Sequence, residues 1–264
     1  MGRKRGKVSI AGESYGAFAW AYDQALGRRF FRAVQRLLVT SLEERPPREM
    51  THLDIACGTG YAMELFARRG FRSVGVDLSL PMLEIAHTRV RRLVCADLRA
   101  LPLRRTFARI TCLYDSLNHM KEREDLVAAF RAVRGVMSSE SLFLFDINHP
   151  DIYPEVWGSK EPFVASGADY RLEIDTAYRK RERLAHALVS GWAKVRGRRV
   201  EIRERHEQRA WSKNEVRAAL REAGLEVVEV VNFDPYEEAG DLHAETVKLF
   251  FTVRTAEDSR RGRR

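Results

Sequence analysis

Residues 51–66, Thr-His-Leu-Asp-Ile-Ala-Cys-Gly-Thr-Gly-Tyr-Ala-Met-Glu-Leu-Phe, decide the fold. The run 51–56 is short and apolar and reads as a strand. Gly58 and Gly60 follow at once, and the helical pattern from Tyr61 to Arg69 is closed by Gly70. Strand, glycine turn and helix in that order open a βαβ unit. Glycines here let the backbone approach a ligand closely, and the helix N-terminus adds a partial positive charge suited to a carboxylate or phosphate. The dinucleotide fingerprint needs a third Gly or Ala at position 63. That residue is Met63, so nicotinamide and flavin lose ground.

Downstream, apolar runs at 72–77, 91–96, 108–113 and 141–147 read as four more strands, with helical patterns between them. Ser79 is placed to cap the helix that has Pro81 in its first turn, and Leu126, Phe130, Val133 and Met137 form one apolar stripe. Such alternation predicts a parallel sheet, whose strands end on one edge. Asp77 ends the second strand and Asp97 the third, so both converge with the glycine loop although each lies about twenty residues from the last. Upstream, 14–39 reads as one or two helices. Ser212 and Glu215 have capping-box spacing, Gly224 ends that helix, and strands follow at 225–231 and 246–253. The stretch from 148 to 210 is too long for an ordinary connection. From Tyr170 it alternates polar and apolar residues, and runs at 184–195 and 199–208 flank a turn at Gly197, which predicts an antiparallel β-insertion. The expected fold is α/β: a doubly wound, mostly parallel, seven-stranded Rossmann-like sheet with that insertion after strand 5. Four regions follow: 1–147, the insertion 148–210, 211–255 and a basic tail 256–264.

These motifs carry a resemblance. Asp-Ile-Ala-Cys-Gly-Thr-Gly (54–60), Val-Asp-Leu-Ser (76–79), Ala-Asp-Leu (96–98) and Leu-Tyr-Asp-Ser-Leu-Asn-His-Met (113–120) resemble the first four motifs of class I S-adenosylmethionine-dependent methyltransferases. The resemblance covers roughly 14–147 and 211–255. It implies S-adenosylmethionine as cofactor, with the Ala56–Gly60 backbone, Gly58 and Gly60 included, on the methionyl part. Asp77 with Leu78 falls to the ribose, and Asp97 with Leu98 to the adenine. The segment 18–26 resembles the N-terminal Tyr-Asp motif of small-molecule N-methyltransferases of the glycine and amino-sugar types, which places Tyr22 near the cofactor, as it does Tyr114. Ala108 departs from the family, which often has Asp there, and is read as a turn position.

Methyl transfer from a sulfonium needs an in-line nucleophile, orientation and at most one proton acceptor. Tyr114, Asp115, Asn118 and His119 after the fourth strand, and Asn148 and His149 after the fifth, lie at the carboxyl edge. His119 fits the acceptor because an imidazole titrates near neutrality; Asp115 is the second catalytic candidate. The other histidines have no metal-ligand spacing, and no metal is expected. Cys57, Cys95 and Cys112 read as reduced core thiols. The chain has 264 residues and a net charge of +9. No apolar run approaches the roughly 18 residues of a membrane span, so a cytoplasmic protein is expected. The basic ends could hold nucleic acid, but no RNA-binding signature accompanies them. A small-molecule acceptor, and an amine nitrogen in it, is the preferred reading; a small-molecule O-methyltransferase, an RNA methyltransferase and an inactive cofactor-binding scaffold are the alternatives. Oligomeric state is left open. The loop after the strand at 225–231, with Asp234, Glu237, Glu238, Asp241 and Glu245 and no Lys or Arg, is expected to form a negative rim that attracts a cation.

Overall fold

The structure is a computed structural model that describes residues 15–159, 161–234 and 248–256. Two sheets organise it. The larger has seven strands: β1 (Thr51–Ile55), β2 (Arg72–Asp77), β3 (Leu93–Cys95), β4 (Arg109–Cys112), β5 (Leu142–Asn148), β10 (Leu225–Phe233) and β11 (Lys248–Thr255). Their order is β10-β11-β5-β4-β1-β2-β3. The first five strands are parallel, and β11 is antiparallel to both β5 and β10. β10 therefore points the same way as β5. Phe233 pairs with Lys248 and Lys248 with Asn148, so β10 also finishes at the carboxyl edge. Of the acidic rim expected beyond it, only Asp234 lies within the described residues.

Alternation along β5 shows how the sheet is covered. Phe143, Phe145 and Ile147 face α5 (Arg123–Gly135) and α6 (Lys213–Glu222), meeting Phe130, Val133 and Leu220 in one core. Leu142 and Leu144 face the other way, onto Phe30, Val34 and Leu38 of α2 (Arg28–Glu44) and Leu65 of α3 (Tyr61–Arg68). A sheet buried on both faces explains the unbroken apolar run. Further along the second face come Asp146 and Asn148, with Lys248 beside them on β11. That face turns from apolar to polar where it reaches the carboxyl edge.

Helix ends follow their residues. The Ser79 hydroxyl accepts from Met82 N–H ahead of α4 (Leu80–Ala86), and Ser212 with Glu215 completes the capping box of α6. The stretch 14–39, expected as one or two helices, is two pieces, α1 (Phe18–Tyr22) and α2, joined by one wider helical turn, Asp23–Gly27. Such wide turns are rare and recur at functional sites. Here the Tyr22 ring lies across Gly27, where a Cβ would stand 3.0 Å from Tyr22 Cε1. Cys57 and Cys112 are buried, but Cys95 is exposed, because β3 is an edge strand.

The insertion is a four-stranded antiparallel sheet: β6 (Phe163–Gly167), β7 (Tyr170–Arg179), β8 (Leu184–Val195) and β9 (Arg198–Arg209). Arg196 and Gly197 both have positive φ, as a tight two-residue hairpin requires. The first strand, β6, had no signal in the alternation. α1 lies on this sheet, with Phe18 and Ala21 packed against Leu172, Val189, Ala193 and Ile202. Among the described residues no helix is long and apolar enough to cross a membrane.

Candidate active site

At the end of β1 the backbone turns sharply through Ala56 (φ 51°), Gly58 (φ 51°) and Gly60 (φ 88°). A Cβ at Gly60 would meet Ala86 Cβ at 3.2 Å, so this position needs both the left-handed backbone and the missing side chain. Asp77 braces the loop. Its Oδ2 accepts from Gly58 N–H and its Oδ1 from Ser79 N–H, both at 2.8 Å. Each oxygen keeps capacity for a further donor. Burial raises the Asp77 carboxyl above the usual range against the pull of those two N–H groups. Asp97, after β3, is held below that range by the Arg99 guanidinium, which also reaches Asp125 at 2.8 Å. Leu78 and Leu98 flank the same opening, a cleft of about 390 Å³.

Its floor is a hydrogen-bonded chain. Thr111 donates its hydroxyl to Asp54 at 2.5 Å, so His52 Nε2 must donate to Thr111, at 2.9 Å, and Nδ1 accept from Ser73. His52 stacks on Phe66 at 3.7 Å between centroids, and burial pushes its imidazole down to about 3. Burial pushes Asp54 up to about 7; the Thr111 bond opposes this and the charge of Asp77 adds to it.

The other end of the cleft is aromatic. Tyr15, Tyr22, Phe30 and Tyr114 form a connected wall, with Tyr22–Tyr114 at 5.6 Å and Phe30–Tyr114 at 4.1 Å between centroids. Tyr114 and Asp115 are consecutive left-handed residues, φ 63° and 52°. This conformation costs a non-glycine residue about 1–2 kcal/mol. The Asp146 carboxylate offsets it by accepting both their N–H groups, at 2.6 and 2.9 Å. Lys248, buried like Asp146, donates to Asp146, Asp115 and Asn148 at 2.9, 2.5 and 3.0 Å. Gln208 of β9 donates to Asp115, and Asn118 donates to the Arg209 carbonyl, which ties the insertion to this turn. His119, on the short helical turn Ser116–His119, is bonded to the Glu207 main chain, and burial holds its imidazole below the usual value against the charge of Asp115. His206 of β9 also lines the cleft, 6.3 Å from His119 between centroids.

The structure brings together on this cleft Tyr22, Ala56, Gly58, Gly60, Asp77, Leu78, Asp97, Leu98, Tyr114 and His119. Asp115 is not among the lining residues; its carboxylate is spent on Lys248 and Gln208, so it acts as a brace. Asn118 and Asn148 are buried in the same network, where the Asn118 carbonyl oxygen accepts from Asn148 N–H at 3.0 Å. His149 pairs instead with Asp151. Sequence reasoning missed Tyr15, His206, Lys248 and Arg89. Arg89 donates to Asp23, Tyr61 and the Thr59 carbonyl, clamping the N-terminal helix to the glycine loop. The available signals were a lysine and an aspartate inside otherwise apolar strands, and polar residues on the inward face of β9.

Residues 53–140 match the family described as Methyltransferase domain. The chain is 32% identical over 119 residues to the dTDP-3-amino-3,6-dideoxy-alpha-D-glucopyranose N,N-dimethyltransferase of Streptomyces fradiae, covering 43% of this chain and 46% of that one. To the cypemycin N-terminal methyltransferase of Streptomyces sp it is 29% identical over 194 residues, 70% of this chain and 76% of that one. Of other curated relatives that it matches the chain spans about half the length, 55% and 58%. It is similar throughout to a solved S-adenosylmethionine-dependent methyltransferase from Clostridium acetobutylicum ATCC 824, with a TM-score of 0.76 and 25% identity over 92% of this chain and 99% of that one.

Proposed function

The chain belongs to the class I S-adenosylmethionine-dependent methyltransferases, and on that premise we propose that it methylates an amine nitrogen of a small molecule. When bound, the cofactor supplies a methyl group on a positively charged sulfur. The residues present fit it. Asp77 has acceptor capacity left for ribose hydroxyls, the Gly58–Gly60 cradle admits close backbone approach, and Asp54 lies in the floor as an acid poised near neutrality. A cleft of about 390 Å³ is within the range of sites for ligands of this size.

The observation that carries the choice of nitrogen is the wall formed by Tyr15, Tyr22, Phe30 and Tyr114, met by the imidazoles of His119 and His206. Aromatic faces attract an ammonium group by about 0.5–2 kcal/mol, and desolvation favours its loss of a proton. A neutral imidazole at His119, its ring held by the Glu207 main chain, accepts a hydrogen bond from the amine and orients its lone pair. The names of the Streptomyces relatives, an amino-sugar N,N-dimethyltransferase and an N-terminal methyltransferase, support the same class of acceptor. The test is competition between matched acceptors that differ only in NH₂ against OH, offered with S-adenosylmethionine. Turnover of the amines alone is expected; turnover of the alcohols alone would exclude nitrogen.

A further inference from the structure

The inward face of β9 reads Val200, Ile202, Glu204, His206, Gln208. Val200 and Ile202 pack against α1 as an inward face should. The next three positions on that face are polar, and the change occurs where β9 reaches the cleft. Gln208 belongs to the Lys248 network already described. Glu204 and His206 do not. Their side chains are only 15% and 11% exposed, and His206 Nε2 stands 3.3 Å from Glu204 Oε2. The geometry there is too poor for a hydrogen bond, and Nε2 is buried without one. Glu204 is fixed by the Tyr15 N–H, which donates to its Oε2 at 2.9 Å, and the Tyr15 ring covers the imidazole at 4.7 Å between centroids. Glu204 is thus fixed beside an imidazole that lines the cleft, where a carboxylate orients the ring.

We propose that His206, backed by Glu204, is the group that takes the proton from the acceptor's nitrogen, and that the insertion thus supplies a catalytic residue as well as a cover. The inference rests on the amine reading above. An ammonium acceptor gives one N–H proton to the His206 imidazole and so exposes its lone pair. The lone pair forms the new C–N bond as the C–S bond breaks, with that electron pair returning to sulfur. The products are an N-methylammonium and a neutral thioether, and the proton on His206 leaves to solvent. His119 faces the same space with its ring already bonded to the Glu207 main chain, and on the amine reading it accepts the hydrogen bond that orients the lone pair. Glu204 acts through His206 and is a positioning residue.

The experiment uses methyl-labelled S-adenosylmethionine with a panel of amines: nucleotide-linked amino sugars, free amino acids and short peptides. With any amine that the wild type methylates, His206→Asn is expected to lower kcat about 100-fold, with KM for S-adenosylmethionine unchanged. Imidazole added to His206→Ala should restore part of the rate. Glu204→Gln keeps an acceptor for the Tyr15 N–H and so keeps the fold; it should still lose about tenfold in kcat, since only the charge is gone. S-adenosylhomocysteine binding, measured on each variant, separates loss of chemistry from loss of folding. Full activity in both His206→Asn and Glu204→Gln on an amine that the wild type methylates would overturn this inference and leave the amine reading standing. If the wild type methylates no amine but methylates an alcohol, both fall.

Discussion

Replacing Lys248 with Met puts the buried network under the cleft to the test. Lys248 is 2% exposed and Asp146 0%. The substitution removes a cation that donates to Asp146, Asp115 and Asn148 and leaves two carboxylates facing each other without it. Breaking one side of a buried ion pair costs about 3–5 kcal/mol. At about 2–4 °C per kcal/mol for a chain of this size, the melting temperature should fall by about 10 °C. The loss should depend on pH. Burial raises the Asp146 carboxyl, and Lys248 pulls it back. Without the lysine it rises further, so the native variant holds a proton that the unfolded chain releases, and its stability falls as pH rises through that window. The variant should therefore be closer to wild type at pH 5 than at pH 8. Adding Asp146→Asn to Lys248→Met should recover part of the loss, because a neutral amide still accepts one of the two N–H groups of the Tyr114–Asp115 turn. Urea unfolding at both pH values, with calorimetric titration of S-adenosylhomocysteine, measures all of this. A Lys248→Met variant within 1 kcal/mol of wild type at pH 8 would refute the reasoning.

Asp77→Ala should leave the far-ultraviolet circular dichroism unchanged and weaken S-adenosylhomocysteine about 10- to 100-fold, the loss of charge-assisted hydrogen bonds; equal affinity would reduce Asp77 to a brace for Gly58 and Ser79. His52 and Asp54 should have opposite effects on stability. His52 titrates at 6.5 unfolded and about 3 folded, so its contribution is lost as pH falls below 6.5. Asp54 titrates at 3.8 unfolded and about 7 folded, so its contribution is lost as pH rises through that interval. The two cancel in wild type between about pH 4 and 6.5. Asp54→Asn should expose the histidine alone, with stability falling by up to about 1.4 kcal/mol per pH unit on acidification; parallel curves for variant and wild type would contradict the assignment.

The half of the cleft built by the parallel strands was legible because each of its residues ends a strand. Asp77, Asp97 and the glycine loop needed only the rule that parallel strands finish on one edge. The other half depends on contacts distant in sequence. Lys248 meets Asp115 across 133 positions and Gln208 meets Asp115 across 93, and no local pattern reports such a partner. Asp115 looked catalytic from its place after β4, but the left-handed turn it shares with Tyr114 directs it into the network. The wide turn at Asp23–Gly27 was hidden because the apolar spacing of residues 18–37 continues through it. His206 has no ligand spacing with the other histidines, but the inward run Glu204, His206, Gln208 in a half-buried strand is itself a signal of function.

The most direct measurement is nuclear magnetic resonance of the product made from S-adenosylmethionine carrying ¹³C in its transferred methyl and from an acceptor amine labelled with ¹⁵N. A one-bond coupling between the new methyl carbon and that nitrogen is the predicted result. A methyl signal without it, from carbon attached to oxygen, would contradict transfer to nitrogen.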